Sequence, residues 1–101
     1  MSPIQIDIPH DQIRAFCRKW RVTEFAVFGS VLREDFRPDS DIDVLLSFEE
    51  GAPWTLWDLI RMRAELQALF GRKVDVVEKR ALRNPYRKQA ILRTFEVLYA
   101  A

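Results

Sequence analysis

Two aspartates, Asp41 and Asp43, stand at the head of the apolar run Ile42–Phe48, and this pairing constrains the fold more than any other stretch of the chain. Residues two apart on a strand point to the same side, so both carboxylates share one face with Leu45 and Ser47. Ile42, Val44, Leu46 and Phe48 make the opposite, wholly apolar face. A strand built this way needs a second layer packed on one side. On its other side it holds two like charges, which require a cation, a proton or a basic partner to coexist.

The remaining segments supply that layer. Pro9 suits a first helical position, and Ile13, Phe16, Cys17 and Trp20 follow at helical spacing, which predicts an amphipathic helix over 9–20. Residues 23–28 are rich in aromatic and β-branched types and end at Gly29, the pattern of a strand entering a tight turn. A short helical turn is expected over 30–34, then a loop over 35–40 containing Pro38. Beyond the 42–48 strand, Gly51 and Pro53 interrupt the chain, and Thr55 with Asp58 forms a capping box. The helix it opens carries Leu59, Met62, Leu66, Leu69 and Phe70 as its apolar stripe, with Arg61, Arg63, Glu65 and Gln67 on the wet side and Gly71 as its C-terminal cap. Residues 73–78 read as a third strand, with Val74, Val76 and Val77 around Asp75. Asn84 and Pro85 are expected to open a last helix with Ile91, Leu92, Phe95, Leu98 and Tyr99 as its stripe. The order helix, strand, short helix, strand, helix, strand, helix assembles most economically as one α/β (α+β) domain over residues 1–101, a small mixed β-sheet flanked by helices.

Composition narrows the chemistry. The 101 residues suit one core, 49% are apolar, and the formal net charge of +1 argues against a polybasic binder. With one cysteine (Cys17) and one histidine (His10), no internal disulfide or cysteine-based zinc cluster can form, and any metal must rest on oxygen ligands. No stretch is apolar and long enough for a signal peptide or a membrane span, so the expected location is the cytoplasm.

Asp75 raises the same question as the pair. In an apolar run expected to be buried, an unpaired acid costs several kcal/mol, roughly, unless something compensates it. If its strand lies beside 42–48, three carboxylates converge, a donor set suited to magnesium sharing phosphate oxygens with a substrate. Gly29 permits close backbone approach, and the turn after it offers backbone N–H groups and the Ser30 hydroxyl to a phosphate. Carboxylate-held metals facing a phosphate cradle are what in-line displacement at phosphorus uses.

Gly29-Ser30, a ten-residue gap and Asp41-x-Asp43 together resemble the signature of the DNA polymerase β-like nucleotidyltransferase superfamily. The resemblance is strongest to the MNT (minimal nucleotidyltransferase) antitoxins of HEPN/MNT toxin–antitoxin systems. It extends over Phe28-Gly29-Ser30-x-x-Arg33, residues 38–44, Asp58-Leu59, residues 71–77 and Ala81-Leu82. The resemblance implies Asp41 and Asp43 as ligands of two Mg2+ ions, and Asp75 as a third, catalytic carboxylate that helps the acceptor hydroxyl lose its proton. It implies Gly29 and Ser30 on the triphosphate of ATP, with Arg33 and Arg37 neutralising phosphate charge. The implied activity is transfer of AMP from ATP to a tyrosine hydroxyl of a HEPN-domain ribonuclease toxin in a hetero-oligomer, with no membrane or direct nucleic-acid partner.

Other readings weigh less. Asp39, Asp41 and Asp43 begin like a calcium-binding EF-hand loop, but Val44 stands where that loop needs glycine. Trp54 and Trp57 suit packing or a partner contact better than nucleobase stacking. Cys17 on a helix face is a small core residue. The alternatives for function are a non-catalytic antitoxin acting by occlusion, and a nucleotidyltransferase acting on RNA or a small molecule.

Overall fold

Strand β2 (Ile42–Phe48) forms over the residues the alternation selects, and β1 (Val22–Phe28) pairs with it antiparallel. The computed structural model describes residues 8–29, 41–81, 85, 86, 89 and 95–101. Among them are α1 (His10–Lys19), α2 (Leu56–Phe70), β3 (Val74–Glu78), a short 3-10 turn (Lys79–Ala81) and β4 (Phe95–Ala100). The four strands form one sheet in the order β3-β2-β1-β4. β3 lies parallel to β2, while β4 lies antiparallel to β1, so the sheet is mixed as expected. The short turn expected over 30–34 and the loop over 35–40 lie outside the described residues.

One sheet face is the core. Phe25 and Val27 of β1, Ile42, Val44 and Leu46 of β2, and Val74 of β3 pack against Ile13, Phe16 and Cys17 of α1 and Met62 and Leu66 of α2. The aromatic rings interlock: Phe25 meets Phe16 edge-on at 6.0 Å between centroids, and Trp54 meets Trp20 at 5.1 Å. The Trp54 indole N–H also donates to the Trp20 carbonyl at 2.7 Å, so Trp54 is a packing residue. Burial of Val44 inside β2 removes the EF-hand alternative.

The capping box forms at the start of α2, where the Asp58 carboxylate accepts from the Thr55 backbone N–H at 2.9 Å and from its hydroxyl at 3.0 Å. These bonds hold the Asp58 carboxyl below the usual carboxylate range, the backbone bond contributing most. At the other end Gly71 takes the left-handed conformation, φ +71°, and its N–H reaches the Gln67 carbonyl. Two residues assigned to the wet side of α2 hold the fold together instead. Glu65 accepts from Lys19 at 2.9 Å and from the Trp20 indole at 3.2 Å, joining α2 to α1. Gln67 accepts from the Val74 N–H at 3.3 Å, fixing where β3 begins.

The last helix is a correction. Pro85, Tyr86 and Gln89 are helical, but Phe95–Ala100 is strand β4. Phe95, Leu98 and Tyr99 fall at i, i+3 and i+4, which suits a helix, yet the segment is also rich in β-formers. The free edge of β1 decides the outcome, since without β4 its N–H and C=O groups would have no ladder partner. Ile91 and Leu92 lie outside the described residues. No helix among the described residues is long and apolar enough to cross a membrane.

Leu66 is fully buried, so Leu66→Ala should lower unfolding free energy by about 3 kcal/mol, read as a fall in urea midpoint with unchanged slope. Burial pushes the Cys17 thiol from 9.0 up to about 12. The folded chain therefore keeps a proton that the unfolded chain releases near pH 9, and the associated stability is present below that pH and lost as pH rises toward 12. Native Cys17 should resist a thiol-reactive dye at pH 8 and become labelled only as the chain unfolds.

Candidate active site

The sheet face turned away from α1 and α2 carries the acids. β2 and β3 run parallel in a register that sets Asp43 opposite Asp75, with Leu45 opposite Val77 one step further in. Ile42 joins the start of β3 directly, its N–H donating to the Lys73 carbonyl at 3.0 Å. Asp41, immediately before β2, is exposed, and Asp43 is half-buried. The end of β1 meets the same place, because Phe28 lies opposite Asp43. One end of the sheet thus gathers the exit of β1 and the starts of β2 and β3.

Asp75 is exposed, which corrects the expectation of a buried acid. β3 is an edge strand, and only Val74 of its valines is fully buried; Val76 and Val77 are half-covered. The pleat sends Val74 and Val76 into the core and turns Asp75 outward beside Asp43. Its placement follows from the register of β3 on β2. Among the described residues, no three acid, histidine or cysteine side chains come together as a ready-made cation cage. What the fold sets in place is an oxygen-only donor set on adjoining strands.

Gly29 is built into this arrangement. It ends β1 at φ +76°, a conformation side chains other than glycine seldom take. A Cβ added there would overlap a carboxylate oxygen of Asp43. The positive φ favours glycine here, and any side chain would push the Asp43 carboxylate from the space it fills. Ser30, Arg33 and Arg37, the other expected phosphate ligands, lie outside the described residues.

Behind the acids on this face is a small apolar floor. Ala26 and Leu45 are buried, and Phe28, Val77 and Phe95 pack around them. Phe28 and Phe95 were not singled out from the sequence as neighbours of the acids. The signal available for Phe28 was its place directly before Gly29; Phe95 could be placed only once β4 was known. Trp57 lies on the first turn of α2. The chain enters α2 from the far end of β2 and leaves it at the start of β3, so Trp57 stands away from the acids and cannot stack on a base there.

Comparison with known proteins bears on the family and the fold. The sequence model of the nucleotidyltransferase domain family matches residues 11–98. A protein adenylyltransferase of Thermococcus cleftensis, MntA, is 41% identical over 81 residues, covering 80% of this chain and 77% of its own. The solved structure of a candidate minimal nucleotidyltransferase superposes with a TM-score of 0.70 at 37% identity over 86% of both chains. A more distant structural match is a complex of a tri-AMPylated Shewanella oneidensis HEPN toxin with its MNT antitoxin: TM-score 0.66, 16% identity, over 91% of this chain and 70% of the other. At that identity the likeness is one of fold.

The packing of Gly29 on Asp43 can be tested against a second glycine. Gly71 also has positive φ, but a Cβ there would meet nothing within 4 Å. Gly29→Ala and Gly71→Ala should each cost about 1–2 kcal/mol of backbone strain in thermal unfolding. Only Gly29→Ala should shift the side-chain carboxyl carbon resonance of Asp43, measured by NMR.

Proposed function

The chain belongs to the nucleotidyltransferase domain family, and we propose that it transfers AMP from ATP to a tyrosine hydroxyl of a HEPN-domain toxin, thereby neutralising it. The observation that carries this reading is the register of Asp43 opposite Asp75, with Asp41 beside them and Gly29 packed on Asp43. The adenylyltransferase name of the Thermococcus relative supports AMP as the group transferred, and the AMPylated HEPN toxin of the Shewanella complex supports the class of acceptor.

In the proposed reaction the tyrosine oxygen attacks the α-phosphorus of ATP. A new P–O bond forms, the bridging bond between the α- and β-phosphates breaks, and pyrophosphate leaves. The donor set fits magnesium, since aspartate oxygens are hard ligands and no nitrogen or sulfur ligand stands among them. Asp41, Asp43 and Asp75 would hold it, and when bound it supplies Lewis-acid polarisation of the phosphate and neutralises the leaving charge. In this reading Asp75, exposed on β3, takes up the tyrosine proton of an incoming macromolecular acceptor. Gly29, with no side chain, leaves the space that the Asp43 carboxylate fills and lets backbone approach the phosphates closely. Ser30 holds the triphosphate, and Arg33 and Arg37 balance its charge, roles that rest on the family resemblance. The cytoplasm, where ATP and such a toxin meet, is the proposed location.

The purified chain with magnesium and labelled ATP should label a co-expressed HEPN protein on tyrosine, and Asp41→Ala/Asp43→Ala should abolish the label. Undiminished labelling by the double variant would remove the catalytic assignment. Toxin neutralisation by that inactive variant would favour occlusion instead. Asp75→Asn should reduce turnover at least about 100-fold, the scale of a lost general base, while calorimetry still detects ATP binding. Unchanged turnover would remove Asp75 from the mechanism.

A further inference from the structure

Helix α2 carries two apolar stripes, and the fold uses one. Met62 and Leu66 are buried against the sheet. On the solvent side Trp57, Ile60, Ala64 and Ala68 recur at i, i+3, i+7 and i+11, all exposed, with Leu56 beside them. Trp57 is 75% exposed, Leu56 71% and Ile60 43%. A helix that needs only one covered face gains nothing in its own fold from a tryptophan held in water, and contiguous apolar surface of this kind marks an interaction site.

The stripe continues into a groove. Ala68 lies on the rim of a channel of about 370 Å3 between α1 and α2, lined also by Ala15, Phe16 and Leu69 and bordered by the Lys19–Glu65 ion pair. Large side chains at one end of the stripe and small ones leading to a groove suit a second helix laid along α2, its knobs entering the low end and Trp57 covering the other.

The flanking charges select the kind of helix. Arg61 and Arg63 are exposed on either side of the stripe. Asp58, held in the cap at Thr55, faces Arg61, and Glu65 pairs with Lys19, so this side of the fold carries Lys19, Arg61 and Arg63 against the two acids. The rim therefore offers positive charge. A second copy of α2 packed across a two-fold axis would bring these arginines toward their own counterparts, which disfavours self-association on this face.

We propose that the outer face of α2 is a docking surface for an amphipathic helix of the partner protein, one whose apolar knobs are flanked by carboxylates. This rests on the reading of the chain as an enzyme acting on a HEPN protein, and it separates holding the partner from modifying it. α2 spans 15 residues, about 22 Å, and its last residue, Phe70, lies five residues before Asp75. A partner helix on the stripe lies behind the sheet, on the side opposite the acids, and so leaves the acids uncovered for an acceptor carried elsewhere on the partner.

The test is calorimetric titration of the chain with the co-expressed HEPN protein. Trp57→Lys should weaken binding about 30-fold or more, as loss of a central aromatic anchor does. Arg61→Glu/Arg63→Glu should weaken it about tenfold and flatten its salt dependence, since a rim charge pair acts through screened attraction. Thermal midpoints and ATP binding should stay at wild-type values in both variants. Wild-type partner affinity in both variants overturns the docking surface while leaving the enzymatic reading intact. A dimer of the chain alone in sedimentation velocity, dissolved by Trp57→Lys, assigns the face to a second copy and also overturns it. Failure of the wild-type chain to bind any HEPN protein removes the enzymatic reading and this inference together.

Discussion

The parallel pairing of β2 with β3 is the constraint from which the rest of the structure follows. Parallel neighbours cannot be joined by a tight turn, and the chain must cross back through a connection long enough to include a helix. That connection is α2, and its return path explains why Asp43 and Asp75, 32 positions apart in sequence, stand side by side. An antiparallel hairpin would have put the start of one strand against the end of the other. The crossover brings two strand starts together, so acids placed near the start of each become neighbours.

Holding that register falls to polar contacts at the same end. The Ile42 N–H on the Lys73 carbonyl closes the ladder, and the Gln67 side chain anchors the Val74 N–H from α2. Behind them the core locks α2 to the sheet through Met62 and Leu66 and to α1 through Glu65. The two sheet faces thus differ in their load. One face buries the larger core, and the other covers a small apolar floor and carries charge at its rim.

Much of this was legible in the sequence because strong signals agreed there. An apolar run headed by acids and ended by Gly51 and Pro53 marked β2, and the Thr55–Asp58 cap and Gly71 bounded α2. Asp41, Asp43 and Gly29 were found at one place because a strand and the turn before it fix their relation locally. What was misread depended on distant partners. Residues 95–100 fit a helical stripe as well as a strand, and only the open edge of β1 chose between them. Asp75 looked buried because valines surround it, but Val74 and Val76 face the helix-covered core and the pleat turns Asp75 to the other face, where it is exposed. Glu65 and Gln67 looked like solvent-facing residues because helical periodicity says nothing about what a neighbouring element offers to a side chain at the margin of the buried stripe.

The exposure of Asp75 also bears on how such a site could work. A carboxylate buried without a partner would be driven toward its protonated form and would bind a cation only after losing that proton. An exposed acid is already solvated and can meet a cation without first being taken out of an apolar interior. The same openness lets an acceptor carried on another protein's surface reach the acids, which a buried site would forbid. An open site gives the acceptor little to hold by itself. Affinity for a protein acceptor must then come from elsewhere on the chain, and the solvent-facing stripe of α2 is apolar surface that the fold itself leaves unused.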